Sequence, residues 1–489
     1  MKNFFRFIPV KANELAKFLV ISLMMLMILF IYSIERTVKD TIVINEMGAE
    51  LISAIKLYGT LPVAILMILV YTKLSNEINK TTIFHIFNIF FISYFLLFTF
   101  VLAPNISYFR LDLNKLKFYL PYMSYPINII ENWSYSLYFI FAELWGSIML
   151  SLMFWQTANQ VFKIQEAKRV YPLLGLIAQL GMILSGELLR LFSNKNIFKG
   201  GWQQSLEYIN CSVFFVGIIL SILYWTLTNF IVSKDLINAE IVKKKKKAGF
   251  IESLKYIITS KYIGLITLLI LCYGVSVNIV EGVWKAQAGA VYSEKQDYAR
   301  FMANLQTFTG IVSMIAMLSG SYLLTIVSWQ VAAYITPFII LITGTIFYMF
   351  SIYQVEITKL FAMNFSPLII AVFIGLLQNV LGKATKYAFF DSTKEIAYIP
   401  LDEALKSKGK AAADVIGGRL GKSGGALIQQ FLLTIAISLD SSLVNIKPGE
   451  ALISLSPLLF VIFIFVMIIW LFSVSFLSKE FEKKKKDLL

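Results

Sequence analysis

Cysteine and histidine are nearly absent from this chain of 489 residues, which has two cysteines, Cys211 and Cys272, and one histidine, His85. Both cysteines lie in apolar runs, so no disulfide framework is available and each reads as a small buried apolar residue. A single histidine with no cysteine cluster beside it makes no metal site. Charge is scarce as well. Only 15% of the residues are charged, where a soluble chain carries about 25%. With 58% hydrophobic residues, that shortage excludes a soluble enzyme, a disordered chain and a nucleic-acid-binding domain.

What the chain has instead is long apolar runs, with a mean hydropathy of +0.73. A membrane-crossing helix needs about 20 such residues. Runs of that length lie near Ala16–Ile34, Leu51–Thr72, Ile83–Ala103, Ser134–Phe154, Val170–Leu191 and Ile209–Val232. Six more lie near Tyr262–Val280, Phe301–Val327, Val331–Ile352, Pro367–Phe390, Gly424–Leu439 and Ala451–Ser475. They are apolar on all sides, whereas strands of a membrane barrel alternate, so an all-α polytopic membrane protein of about twelve helices is expected. The first run is long, lacks a small-residue cleavage site and is followed at once by charged residues. It reads as an uncleaved span.

The formal net charge is +15. With the N-terminus placed in the cytoplasm, Lys and Arg favour cytoplasmic segments by about two to one, so both termini are expected inside. Lys243–Lys247 and Lys483–Lys486 then read as cytoplasmic anchors, with contact to anionic lipid a weaker alternative. A polar stretch at 234–261 divides the chain into an N-terminal half, 1–233, and a C-terminal half, 262–489, each with six runs. Such a division suggests a duplicated transporter whose halves face each other across a central path. Two correspondences support it. The first and seventh runs both end in Glu-x-x-x-Lys, at Glu35–Lys39 and Glu281–Lys285. The fifth and eleventh are both glycine-rich, at Gly175–Gly181 and Gly417–Gly425.

Ionisable residues inside an apolar run cost at least about 2.5–3.5 kcal/mol at the bilayer centre, so they should face a cavity or a partner. Glu143 is the outstanding case, with apolar flanks on both sides; the structural alternative is an ion pair with Lys39 or Lys285. Glu281 and Lys285 close the seventh run, and Arg36 and Lys39 the first. Lys383 and Lys386 sit in the tenth, with Asp391 beyond, and Arg419 and Lys422 open the eleventh. Several cations converging on one path suit a multiply charged anion, phosphate above all, because Arg offers paired hydrogen bonds and Lys a compact charge. Glu187 and Arg190 read as a simple i,i+3 pair at a helix end and stay outside the site.

Gly421-Lys422-Ser423 is not a Walker loop: the pattern needs glycine at 416, where the chain has Ile416, and no strand precedes it. That argues against an ATP-hydrolysing pump. Gly417, Gly421 and Gly425, four apart, serve close helix packing or leave backbone N–H groups for an anion. The 41 Phe, 24 Tyr and 8 Trp are mostly lipid-facing, and nothing in the sequence singles out those that would stack on a base.

Specific strings narrow the reading. Ile399-Pro-Leu-Asp-Glu403, Lys408-Gly-Lys-Ala-Ala412 and Asp414-Val-Ile-Gly-Gly-Arg-Leu-Gly-Lys-Ser-Gly-Gly425 resemble the signature of the ATP/ADP translocase (nucleotide transport) family of obligate intracellular bacteria and plastids. Val38-Lys-Asp-Thr41, Gly48-Ala-Glu50, Ala142-Glu-Leu-Trp-Gly146, Phe154-Trp155, Ala158-Asn-Gln160 and Asn278-Ile-Val-Glu-Gly-Val-Trp-Lys285 agree with it in register. The resemblance implies a twelve-span, major-facilitator-like fold. It implies exchange of host ATP for ADP across a bacterial inner membrane, with broader nucleotide import as the alternative within the family. A proton-coupled carrier of another organic anion is the rival outside it. Charged residues important in the family match Lys39, Glu143, Glu281 and Lys422. The expected substrate site is therefore Lys39 and Lys422 on the phosphates with Arg36, Lys386 and Arg419, Glu143 and Glu281 for charge balance or the base and ribose, and Lys285 and Asn159 beside them. No metal, cofactor or nucleic acid is expected; the partners are nucleotide and membrane lipid, and a monomer is the expectation.

One departure stands out. The family usually has an apolar residue where this chain has Glu35, ahead of Arg36. An extra carboxylate there is expected to alter nucleotide preference. Lys422→Ala should weaken nucleotide binding strongly, while neutral replacement of Lys243–Lys247 should leave transport intact. Uptake by the two variants checks this, and an equal loss in both would misplace the path.

Overall fold

The computed structural model describes residues 10–232, 259–361, 366–401, 409–410, 413–440, 447 and 449–486; the side chains of Arg419 and Lys422 lie outside the described residues, as do Lys243–Lys247. No strand occurs among the described residues. Among the described residues, eleven helices are long and apolar enough to cross a membrane, and a shorter apolar helix makes twelve in the bundle. The first six are α1 (Leu15–Glu46), α2 (Glu50–Glu77), α3 (Lys80–Leu102), α4 (Trp133–Val161), α5 (Ile164–Phe192) and α6 (Gly201–Ile231). They are followed by α7 (Lys261–Val291), α8 (Lys295–Ile326), α9 (Trp329–Ile352), α10 (Pro367–Ala397), α11 (Gly418–Leu439) and α12 (Ser456–Lys486). Of these twelve, α11 is the one whose apolar stretch, Ser423–Leu439, falls short of a full crossing; its first turns are the polar, glycine-rich signature.

These segments are helical because hydrocarbon offers no partner for backbone N–H and C=O groups, and a helix satisfies them internally. Local signals set the starts. Ser260 accepts a hydrogen bond from the Ile263 N–H at the start of α7, and Ser328 does the same for Val331 at α9. Large apolar side chains such as Phe215, Ile315 and Phe465 stay exposed, as a lipid-facing surface requires.

The packing repeats with a shift of six helices. Helix α1 packs on α4, α5 and α6, and α7 packs on α10, α11 and α12. Contacts between the two sets run through α5 with α8 and α2 with α11, pairs that the same shift interchanges. Glycine enables the closest approaches. A Cβ added at Gly181 of α5 would lie 2.5 Å from the Leu26 carbonyl of α1. One added at Gly425 of α11 would lie 2.6 Å from the Asn278 Cβ of α7, and one at Gly421 would lie 3.1 Å from the Ile270 carbonyl. Helix packing is thus what Gly421 and Gly425 serve.

The start of α1 and the end of α12 lie on the same face, here the terminal face, where Lys261 pairs with Glu480 at 2.7 Å and Arg169 with Glu14 at 2.9 Å. At the opposite, distal face the two sets of helices are tied by polar contacts. Glu50 accepts from the Gly449 N–H at 2.7 Å, Gln430 donates to Ser53 at 2.6 Å, and Lys195 pairs with Asp297 at 2.6 Å. Glu187 and Arg190 form the expected i,i+3 pair and also bond to Thr307 and Asn304 of α8. Gly425→Leu should cost about 1–3 kcal/mol by overpacking α11 on α7; an unchanged melting temperature of the detergent-solubilised protein would contradict this packing.

Candidate functional site

A cavity of about 450 Å³ lies between the two sets of helices, within the range of small-molecule sites. Among the described residues its walls carry seven basic side chains (Arg36, Lys39, Lys56, Lys285, Lys383, Lys386 and Lys394) and four acidic ones (Glu143, Glu281, Asp391 and Asp414). Tyr32, Tyr273, Tyr387 and Phe390 add aromatic surface. The walls are locally distorted. Lys56 lies in a π-helical stretch of α2, Ile55–Thr60; Gly146, Ser147 and Ser151 lie in one of α4, Gly146–Phe154; Lys386 and Tyr387 lie in one of α10, Lys386–Phe390. Such bulges rotate side chains out of the regular α register and recur at functional sites.

The inner end of the cavity is an ion network across α1, α4 and α7. Asp40 is its centre, with Lys39 at 2.8 Å on one carboxylate oxygen and Lys285 at 2.8 Å on the other. Lys39 also pairs with Glu143 at 3.2 Å, and its ammonium lies 3.8 Å from the centroid of the Phe139 ring. Glu281 takes Arg36 at 2.9 Å and Lys285 at 3.1 Å. Lys39 is 2% exposed, so its charge depends on these partners. Towards the terminal face, Lys386 pairs with Asp391 at 2.7 Å and Lys394 with Asp414 at 3.0 Å.

Of the residues expected from sequence, Arg36, Lys39, Glu143, Glu281, Lys285 and Lys386 all line this one cavity. The ion-pair alternative for Glu143 and a place on the cavity wall hold together: the carboxylate pairs with Lys39 and still faces the cavity. Asn159 does not join them. It is exposed near the end of α4 and accepts a hydrogen bond from the Tyr171 hydroxyl at 2.6 Å. Ala158 and Gln160 beside it likewise lie beyond Ser151, the last residue of α4 on the cavity wall, so nearness in sequence did not mean nearness in space. Arg419 and Lys422 open α11 beside Gly418, which lines the cavity.

Glu35 turns away from the cavity. Consecutive helical residues point about 100° apart, so Arg36 faces the cavity while Glu35 is completely buried against α4. There it accepts from the Tyr138 hydroxyl at 2.6 Å, beside Asn210 of α6. Glu35 thus packs within the first six helices and does not line the cavity. Sequence reasoning missed Asp40 and Lys56 and left Lys383 outside the site. Lys56 carried the same signal as Glu143, one charge inside an apolar run. Asp40 sits beside Lys39 in sequence, and only the fold turns it into a bridge between α1 and α7.

Asp40→Asn should be among the most damaging single changes in this network, because it leaves two buried ammoniums short of a counter-charge. A loss of about 3–5 kcal/mol is expected for a broken buried pair. Thermal unfolding of the variant measures it, and a wild-type melting temperature would remove Asp40 from the centre of the network.

Comparison with known proteins places this geometry in context. A sequence model described as TLC ATP/ADP transporter matches residues 1–481. The chain is 41% identical over 490 residues to ADP,ATP carrier protein 1 of Rickettsia prowazekii, covering 97% of this chain and 95% of that relative. It is 38% identical over 493 residues to ADP,ATP carrier protein 4 of Rickettsia conorii, covering 98% and 94%. Among solved structures it resembles a bacterial homologue of the iron transporter ferroportin in an inward-facing state, with a TM-score of 0.60, 12% identity and 97% and 99% coverage. The nucleoside transporter NupG matches with a TM-score of 0.55, 11% identity and 96% and 99% coverage. At such identities the likeness concerns the fold, which is major-facilitator-like.

Proposed function

The chain belongs to the TLC ATP/ADP transporter family, and on that premise we propose that it is a nucleotide antiporter exchanging host ATP for bacterial ADP by alternating access. The observation that carries the reading is the cavity itself: seven basic side chains with aromatic surface beside them, in a membrane-spanning bundle. A polyphosphate needs concentrated positive charge, and a base needs a flat apolar face. Arg36, Lys39 and Lys285 hold the phosphates in this proposal, with Lys386 nearer the terminal face. Arg419 and Lys422 stay in it on the strength of the family resemblance. Glu143 and Glu281 keep the cations paired while the site is vacant, and release them as phosphate oxygens arrive. No covalent bond breaks; the work is binding and reorientation.

The halves 1–233 and 262–489, joined by 234–261, are the moving bodies of this proposal. The distal face carries cross-ties such as Glu50 to Gly449 and Lys195 to Asp297, while cavity walls extend to Lys394 and Asp414 near the terminal face. That arrangement supports a conformation open towards the terminal face. The excess of Lys and Arg on that face supports its being cytoplasmic, in a bacterial inner membrane.

The test is uptake of labelled ATP into proteoliposomes with and without internal ADP, with unlabelled ATP, ADP, GTP, CTP and UTP as competitors at equal concentration. Uptake that needs internal ADP and is inhibited only by ATP and ADP is the expected result. Uptake indifferent to internal nucleotide would overturn exchange, and equal competition by all the triphosphates would replace strict ATP/ADP exchange with broad nucleotide import.

A further inference from the structure

Five basic side chains meet at the inner end of the cavity: Arg36, Lys39, Lys56, Lys285 and Lys383. Three carboxylates, Asp40, Glu143 and Glu281, serve the first, second and fourth of them. Lys56 and Lys383 have no carboxylate within ion-pair distance among the described residues. Lys56, in the π-helical stretch of α2, donates to the Asn278 side-chain carbonyl of α7 at 3.0 Å. Lys383 of α10 is 8% exposed and on the cavity wall, and it makes no hydrogen bond or ion pair among the described residues. Both lie within electrostatic reach of Glu281, which is already shared between Arg36 and Lys285.

Lys383 is buried and Lys56 half-buried; an ammonium held largely out of water without a counter-charge is costly, and cost of that kind is retained where an anion arrives to offset it. The two lysines stand on helices from opposite sets, α2 and α10, so one extended anion between them touches both walls. Lysine suits this role because its compact charge needs no fixed geometry from a flexible polyphosphate.

We propose that Lys56 and Lys383 are a two-walled receptor for the polyphosphate chain, and that its charge is what lets the loaded cavity close. The vacant carrier keeps two cations that lack counter-charge and does not cross, which makes transport an exchange. This rests on the nucleotide-antiport reading and adds to it two residues with a role different from that of the paired cations. Arg36, Lys39 and Lys285 exchange one partner for another when substrate binds. Lys56 and Lys383 gain a counter-charge they otherwise lack.

The experiment uses the full chain in proteoliposomes, with Lys56→Gln, Lys383→Gln and Lys383→Arg, and Lys199→Gln on the distal face as a surface control. Each glutamine variant should raise the half-saturating ATP concentration about tenfold or more, the scale of one lost charge-assisted contact, and should release preloaded labelled ADP into nucleotide-free medium faster than the wild type. Lys383→Arg should keep both properties near wild type. The melting temperature without ligand should be unchanged or higher in the glutamine variants, because an unpartnered charge has been removed; a fall of several degrees would assign these lysines a structural role and overturn the proposal. Wild-type half-saturation together with wild-type ADP retention would overturn it as well. Inorganic tripolyphosphate separates this idea from the antiport reading. It should raise the melting temperature of the wild type more than that of either glutamine variant at the same concentration, even if the wild type fails to exchange nucleotides. Equal stabilisation of wild type and variants would sink the two-lysine receptor while leaving antiport standing.

Discussion

The carboxylate of Asp40 is the point on which the rest of the site depends. It holds Lys39 of its own helix and Lys285 of α7 at equal distance, 2.8 Å each. Through Lys39 it reaches Glu143 of α4, and through Lys285 it reaches Glu281 and then Arg36. Charges in a low-dielectric interior are costly unless they find partners. The network thus fixes how α1, α4 and α7 approach one another, and it joins helices from the two sets. Glycine on α5 and α11 then lets the flanking helices close on α1 and α7 without a gap.

The same network explains how a cavity can be strongly basic and still belong to a stable fold. Most of its cations are neutralised within the protein, so most of the positive charge is available to a substrate only by exchange of partners. Differential contact of that kind is what a ligand needs to shift a conformational equilibrium. The cross-ties between the sets lie at the inner end of the cavity and at the distal face, with the cavity walls running towards the terminal face. An arrangement of this type is one of two that a rocking bundle adopts around a fixed central site.

Glu35 illustrates why local reading misleads in a helix. It is adjacent to Arg36 in sequence and belongs to a different environment, bonded to Tyr138 inside the first set of helices while Arg36 faces the cavity. Asn159 errs in the opposite direction. Its string is close to the one containing Glu143, yet a 29-residue helix places the two at different depths.

The sequence alone determined the class of the molecule, because apolar runs of spanning length leave helix as the one way to satisfy the backbone in hydrocarbon. It also singled out part of the cavity wall, since Lys39, Glu143, Glu281 and Lys285 are charges beside apolar runs, and such charges must face a cavity or each other. The paired occurrence of Glu-x-x-x-Lys on α1 and α7 was legible for the same reason. The tertiary structure decided the pairings. Whether Lys285 meets Glu281, Asp40 or both depends on the distance between α1 and α7, which the glycines of α5 and α11 and the packing of large side chains set together. It also decided which cations are left over. Lys56 and Lys383 look like any other lysine in an apolar run, and only the positions of the carboxylates among the described residues set them apart.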